Sequence, residues 1–332
     1  MKIKHQLAER VFQMVMSSIA LITNSLLFLL IKYKSPQSLG GYKYLMMYMA
    51  LFEIFYAFFD LLFLPYMYSN NSGFLVFLDP IFQLEMDTVQ FLDFVFCGSF
   101  GMLMAIFAVH FVYRYCVVKG IKTIVSPKYI VIWILVPIVV GCLWTAVCAA
   151  FLGKNTVSDG FMYYEMDGAL AYVGPFFNYM MDTKANTHVY WGLSLCVLIG
   201  FICFFVTFFF GFRCHFEVRA LTKDSTKSYT YKSLQAQLFY VLVAQTAIPF
   251  FCIFLPIGVL TISIFLGISN EYFGKVFTLT NAVYPALDPL PNMLIIKSYR
   301  NALKFWKLRK KKNNNKVIMA SNSVSFILSE VP

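Results

Sequence analysis

Long uninterrupted apolar runs govern what this chain can fold into. A helix rises about 1.5 Å per residue, so about 20 apolar residues cross a hydrocarbon layer about 30 Å thick. Seven segments of the 332-residue sequence reach that length: 11–31, 44–68, 89–116, 129–152, 190–212, 238–266 and 276–296. The fourth, fifth and sixth contain no Asp, Glu, Lys or Arg. Barrel strands are shorter, about 9–11 residues, and alternate polar with apolar. These runs are apolar all round, so helices are expected. Charged residues make up 13% of the chain, against about 25% in soluble domains. Too few remain to cover a water-facing surface, which excludes soluble enzymes, secreted modules and disordered regulators. Lys2, Lys4 and Arg10 precede the first run as they would a signal peptide. That run exceeds the roughly 7–15 apolar residues of a signal sequence, so a retained span is expected. The fold class is therefore all-α, a polytopic membrane protein built as a seven-transmembrane helix bundle.

Basic residues collect in cytoplasmic loops. With the N-terminus (1–10) outside, 21 of the 27 Lys and Arg fall in the three inner loops and the C-terminal tail. The reverse orientation strands them outside. The expectation is thus N-terminus outside and C-terminus cytoplasmic. The net charge of +11 becomes a mark of sidedness, spread over inner loops rather than gathered for nucleic acid. Ser298–Lys312 places Tyr299, Ala302, Leu303, Phe305 and Trp306 on one face among Lys and Arg. It reads as an amphipathic juxtamembrane helix (298–312) lying on anionic membrane lipids, followed by a disordered cytoplasmic tail (313–332). Asn70-Asn71-Ser72 is a glycosylation sequon at Asn70, in an outer loop.

Ionisable groups at membrane depth are costly and mark functional positions. Asn24, Glu53 and Asp288 each lie eight to ten residues from the cytoplasmic end of spans one, two and seven. That is about 12–15 Å deep, near the midplane. They are expected to face one another as a hydrated polar cluster able to hold a proton or a cation. The alternative is three separate helix contacts, each satisfied locally. Asp60 and Asp93 sit nearer the outside, where they either meet a ligand or hydrate a cavity rim.

Val109–Tyr115 reads V-H-F-V-Y-R-Y at the inner end of span three. His110 and Arg114 are four apart, on one face. Arg114 is either a snorkelling anchor or, with His110 and Tyr115, a latch that a partner protein engages. Pro249 and Pro256 interrupt span six, with Gln245 one turn before the first. Pro285 and Pro289 interrupt span seven. Each removes a helical hydrogen bond, so these four are candidate hinges. The eight cysteines lie in or beside spans without metal-ligand spacing and read as packing residues. No metal site, cofactor or catalytic motif is expected, and the chain does not read as an enzyme. A seven-span ligand-gated channel or transporter is the alternative to a receptor.

Seven helices, N-out, with a polar midplane cluster and a basic latch resemble a G-protein-coupled receptor. L-G-G-Y-K-Y-L-M at Leu39–Met46, F-E-I-F-Y-A at Phe52–Ala57 and V-H-F-V-Y-R-Y narrow the likeness. So do L-Q-A-Q-L-F-Y-V-L-V-A-Q-T-A-I-P at Leu234–Pro249, P-I-G-V at Pro256–Val259, and Y-P-A-L-D-P-L with Y-R-N-A-L across Tyr284–Leu303. Together they resemble the nematode Str-type seven-transmembrane chemoreceptors. The resemblance implies a plasma-membrane receptor in sensory-neuron cilia, a small-molecule chemical cue as ligand and a heterotrimeric G protein as partner. Arg114 stands where rhodopsin-like receptors carry the arginine of their D-R-Y motif, but here tyrosines flank it and no acid precedes it.

Overall fold

A computed structural model describes residues 7–70, 73–121, 123–153, 172–174 and 183–304. The calls on 154–171, on most of 298–312 and on the tail fall outside them. Helix α1 spans Leu7–Lys34, α2 Tyr42–Phe63, α3 Met86–Lys119, α4 Ile130–Phe151 and α5 Thr183–Lys223. The sixth crossing is α6 (Tyr229–Pro249), a π-helical turn at Phe250–Phe254, and α7 (Leu255–Phe265). Its neighbour is α8 (Glu271–Leu287) followed by α9 (Pro289–Ile295). A last helical stretch, α10, covers 297–304. Among the described residues, six helical segments are individually long and apolar enough to cross a membrane. The seventh crossing is split in two, because Pro289 has no amide proton to continue α8.

Local chemistry sets the boundaries. Helix α3 stops at Gly120, whose φ of 80° suits glycine and whose amide closes on the Cys116 and Val117 carbonyls. Ser228 caps α6 by accepting from the Tyr231 amide, and Asn270 caps α8 from the Tyr272 amide. The second helix is shorter than the expected 44–68. It ends at Phe63, where Leu64 turns to φ 42° just before Pro65. Residues Pro65–Asn70 (β1) and Gly73–Leu78 (β2) then form an antiparallel hairpin, with Met67 opposite Val76. Asn70 ends β1, half-buried at the hairpin tip.

Helix α3 is the buried axis of the bundle and packs against α4 and α5. Glycines let α3 and α4 approach closely: a Cβ on Gly101 would meet Trp144 Cβ at 2.8 Å. Helices α4 and α5 turn much of their apolar surface outward, Val131, Leu135, Val139, Phe205 and Phe212 included, as lipid-facing helices do. The hairpin packs on α8 and sits at the same end as the start of α1. Gln13 donates to the Pro65 carbonyl, and Arg10 pairs with Asp79 at 3.4 Å. At the opposite end, Tyr299 of α10 is buried and its hydroxyl meets Ser35 at 2.7 Å. Burial pushes the Tyr299 phenol up to about 12, which keeps it a neutral hydrogen-bonding group.

Candidate functional site

Three regions along the bundle axis carry chemistry. The first is a cavity of about 490 Å³ near the hairpin end, within the range of small-molecule sites. Cys97, Phe100 and Met104 line it from α3, spaced so that they share one face. Trp144 and Cys148 contribute from α4, Cys196 and Phe201 from α5, and Ile257, Thr261 and Phe277 from α7 and α8. Met67, Phe74 and Val76 of the hairpin roof it. Val76 exchanges two backbone hydrogen bonds with Val173, and the Gly174 amide reaches the Leu152 carbonyl at 3.0 Å. Thr261 spends its hydroxyl on the Ile257 carbonyl. The wall is therefore apolar, with thiols, thioether and aromatic rings facing the space. All eight cysteines are free thiols.

Asp93 lies one turn before Cys97 on the same helical face. It is fully buried, and neither carboxyl oxygen has a hydrogen-bond partner among the described residues. Asp60 is fully buried as well, but between α1 and α2, where Ser17 donates to its carboxylate at 2.5 Å. Neither group lines the apolar cavity.

The second region lies midway along the bundle. Asn24, Glu53 and Asp288 border one small cavity of about 10 Å³, together with His110, Gln245 and Asn292. That is room for about one water. All six side chains are buried. Proline chemistry explains part of the arrangement. Pro289 lacks the amide that would bond the Pro285 carbonyl, and Asn24 Nδ2 donates to that carbonyl at 2.8 Å instead. Gln245, one turn before Pro249, donates to the Asp288 carboxylate at 2.7 Å and to its carbonyl at 3.3 Å. The interrupted parts of spans six and seven are thus tied to each other. Tyr284, one turn before Asp288, donates to the Glu53 carboxylate. Tyr56 donates to Asn281 at 2.7 Å. Among the described residues, no group of three or more His, Cys, Asp or Glu is placed to hold a metal ion.

The third region is at the far end of α3. Arg114 is buried, donates to the Gln235 carbonyl of α6 at 3.1 Å, and stacks over the Tyr42 ring at 5.0 Å. His110 Nδ1 meets the Tyr42 hydroxyl at 3.2 Å. Arg114 therefore bridges α2, α3 and α6 from inside the bundle rather than reaching for the interface. Tyr115 turns away: it accepts from Lys119 at 2.9 Å and meets Phe210 edge-on. Sequence reading left out Tyr42, Tyr284, Asn292 and Gln235. Tyr284 carried a usable sign, since it stands four residues before Asp288 and so on the same face.

Pro249 and Pro256 flank the π turn, and Pro285 and Pro289 flank the Asp288 joint.

The sequence matches the family described as serpentine type 7TM GPCR chemoreceptor Str over residues 9–304. It is 31% identical to the G-protein coupled receptor str-217 of Caenorhabditis elegans, over 90% of this chain and 89% of that protein. It is 26% identical to the serpentine receptor class r-10 of C. elegans, over 89% of each. Among solved structures, squid rhodopsin superposes with a TM-score of 0.59 at 13% identity, covering 92% of this chain and 84% of that one. That likeness concerns the fold.

Proposed function

We propose a chemosensory role for this chain, which belongs to the Str family of serpentine seven-transmembrane G-protein-coupled chemoreceptors. In this reading it binds a small-molecule cue and signals to a heterotrimeric G protein. It does so in the plasma membrane, with the N-terminus outside and the C-terminus cytoplasmic, and its natural setting is the ciliary membrane of a sensory neuron. The observation that carries the reading is axial. An apolar cavity at one end and a buried arginine at the other are both bordered by spans three and six, and span six is broken midway, where Gln245 ties it to Asp288 of span seven.

A cue that fits the cavity better in one arrangement of α7 shifts the population toward it. Tilt of α7 about Pro249, Pro256 and the π turn is felt at Gln245. Through Asp288 it reaches the seventh span at Pro285 and Pro289. Asn24 and Glu53 hold the other side of that joint and keep a water or a proton at its centre. Movement of α6 releases Arg114 from the Gln235 carbonyl, freeing the Arg114–His110 end for the G protein, with Tyr115 on its flank. The juxtamembrane segment after Ile296 rests on lipid headgroups.

The test is a cell line carrying the chain and a matching Gα, challenged with a broad panel of cues. A dose-dependent second-messenger change is expected for at least one cue. Arg114→Gln is expected to reduce it about tenfold or more at equal surface expression. Silence across the panel despite surface expression overturns the reading.

A further inference from the structure

The cavity opens sideways. Three of its lining residues, Val197 and Phe201 of α5 and Ile262 of α7, are 59%, 66% and 61% exposed. Such exposure on both helices marks the rim of the cavity between them. Helix α5 packs against α6 but makes little contact with α7 beyond the π turn. The gap is closed below by the edge-to-face contact of Phe204 and Phe254, centroids 5.0 Å apart. Gly258 borders it, and a Cβ there would meet nothing within 4 Å. At the hairpin end, by contrast, Val76–Val173 and Gly174–Leu152 backbone bonds pin a roof over the cavity. Gly174 passes so close to the Phe74 carbonyl that no other residue fits there. Among the described residues, then, the aqueous end is covered and the side facing hydrocarbon is not.

The wall also dictates what can be held. Among the described residues its one hydroxyl is on Thr261, whose proton is already spent on the helix. A charged or strongly polar molecule would lose its water shell and gain no partner, which is prohibitive. A neutral apolar molecule gains dispersion and gives up no hydrogen bonds. Such molecules concentrate in the bilayer, next to the opening.

We propose that the cavity is filled from the bilayer, by a neutral lipophilic small molecule passing between α5 and α7. The proposal rests on the receptor reading only for the consequence of filling. The passage itself is a property of the opening, and its width is set by the tilt of α7 on Pro249 and Pro256. Entry beside that joint places the arriving molecule one helical segment from Gln245 and Asp288.

The experiment uses the full-length protein in phosphatidylcholine nanodiscs and a medium-chain alkyl alcohol carrying a diazirine. Photolysis and peptide mapping are expected to label the wall at Cys97, Cys148 and Ile257, and excess unlabelled alcohol should displace the label. When lipid is varied at fixed total probe, labelling should follow the probe's concentration in the bilayer. Gly258→Trp, whose side chain enters open space, should reduce wall labelling about tenfold while the lipid-facing surface at Val11 and Val15 labels as before. Phe201→Ala, which widens the gap, should increase it. A quaternary ammonium probe of the same chain length should leave the wall unlabelled. Labelling that tracks the aqueous concentration, indifference to both variants, or a phospholipid found seated in the cavity by native mass spectrometry overturns the proposal. G-protein turnover in the same nanodiscs is scored separately. Wall labelling without turnover for any cue of the panel retains the passage and rejects the receptor reading, and turnover without wall labelling does the reverse.

Discussion

The Pro285 carbonyl shows how one missing proton organises a site. Pro289 cannot donate to it, and Asn24 does. Removing the Asn24 amide leaves a buried acceptor unpaired, a cost of about 1–3 kcal/mol. Asn24→Ala is therefore expected to lower thermal stability of the purified protein by that amount. In a Pro289→Ala background the restored backbone amide competes for the same carbonyl, so the loss should shrink. Equal losses in both backgrounds would show that Asn24 acts elsewhere. Asp93 poses the opposite case. It is buried with both oxygens unpaired among the described residues, and a polar group buried without a partner is expensive. Asp93→Leu, which removes the unpaired oxygens at similar volume, should raise the melting temperature, corresponding to about 1–3 kcal/mol; a fall would reveal a partner for the carboxyl group. That Asn24, Glu53 and Asp288 stand at one level of the bundle was readable from residue counts, because helical rise is fixed. Their hydrogen bonds were not, since partner choice depends on helix rotation, which the counts leave free. The burial of Asp93 and Arg114 was likewise hidden: both stand near span ends, where sequence position cannot separate a rim from a core.

At the scale of elements, apolar length announced the spans, and a local turn decided where the second one stops. Pro65–Tyr68 continues the apolar run of α2, so hydropathy alone reads helix through Tyr68. The hairpin was nonetheless foreshadowed by Pro65 and by Asn-Asn-Ser-Gly between two short apolar stretches, a turn composition that favours strand reversal. The seam between α3 and α4 is another element-scale feature. Gly98, Gly101 and Gly141 bring the two backbones together, with Trp144 packed where a Gly101 side chain would go. Small residues at such crossings permit the van der Waals contact that drives helix association in lipid. Gly101→Val is expected to cost about 1–3 kcal/mol through overpacking and to reduce surface expression, read by surface labelling and by thermal shift in detergent. Unchanged stability would mean that the helices separate without penalty. The same crossing fixes where Cys148 and Trp144 stand in the cavity wall, so a variant that folds should also change cue selectivity.

Over the whole molecule, sidedness joins the sequence to the reading of function. The structure groups the start of α1 with the hairpin, through Gln13–Pro65 and Arg10–Asp79. It groups Lys32, Lys34, Lys119 and the segment around Tyr299 at the other end. Most of the chain's Lys and Arg flank this second end or follow it. Each basic residue near an anionic leaflet contributes about 1 kcal/mol, so the sum strongly favours that end in the cytoplasm. An epitope tag before Met1 should then be detected on intact cells, and a tag after Pro332 only once the cells are permeabilised. The reverse pattern would put the cavity roof in the cytoplasm and Arg114 outside, where a G protein cannot reach it, and would favour a channel over a receptor. Sidedness would not alter the opening between α5 and α7, which faces hydrocarbon in either orientation. The two questions are therefore separable: labelling of the cavity wall reports how a cue arrives, and the tags report which compartment reads it.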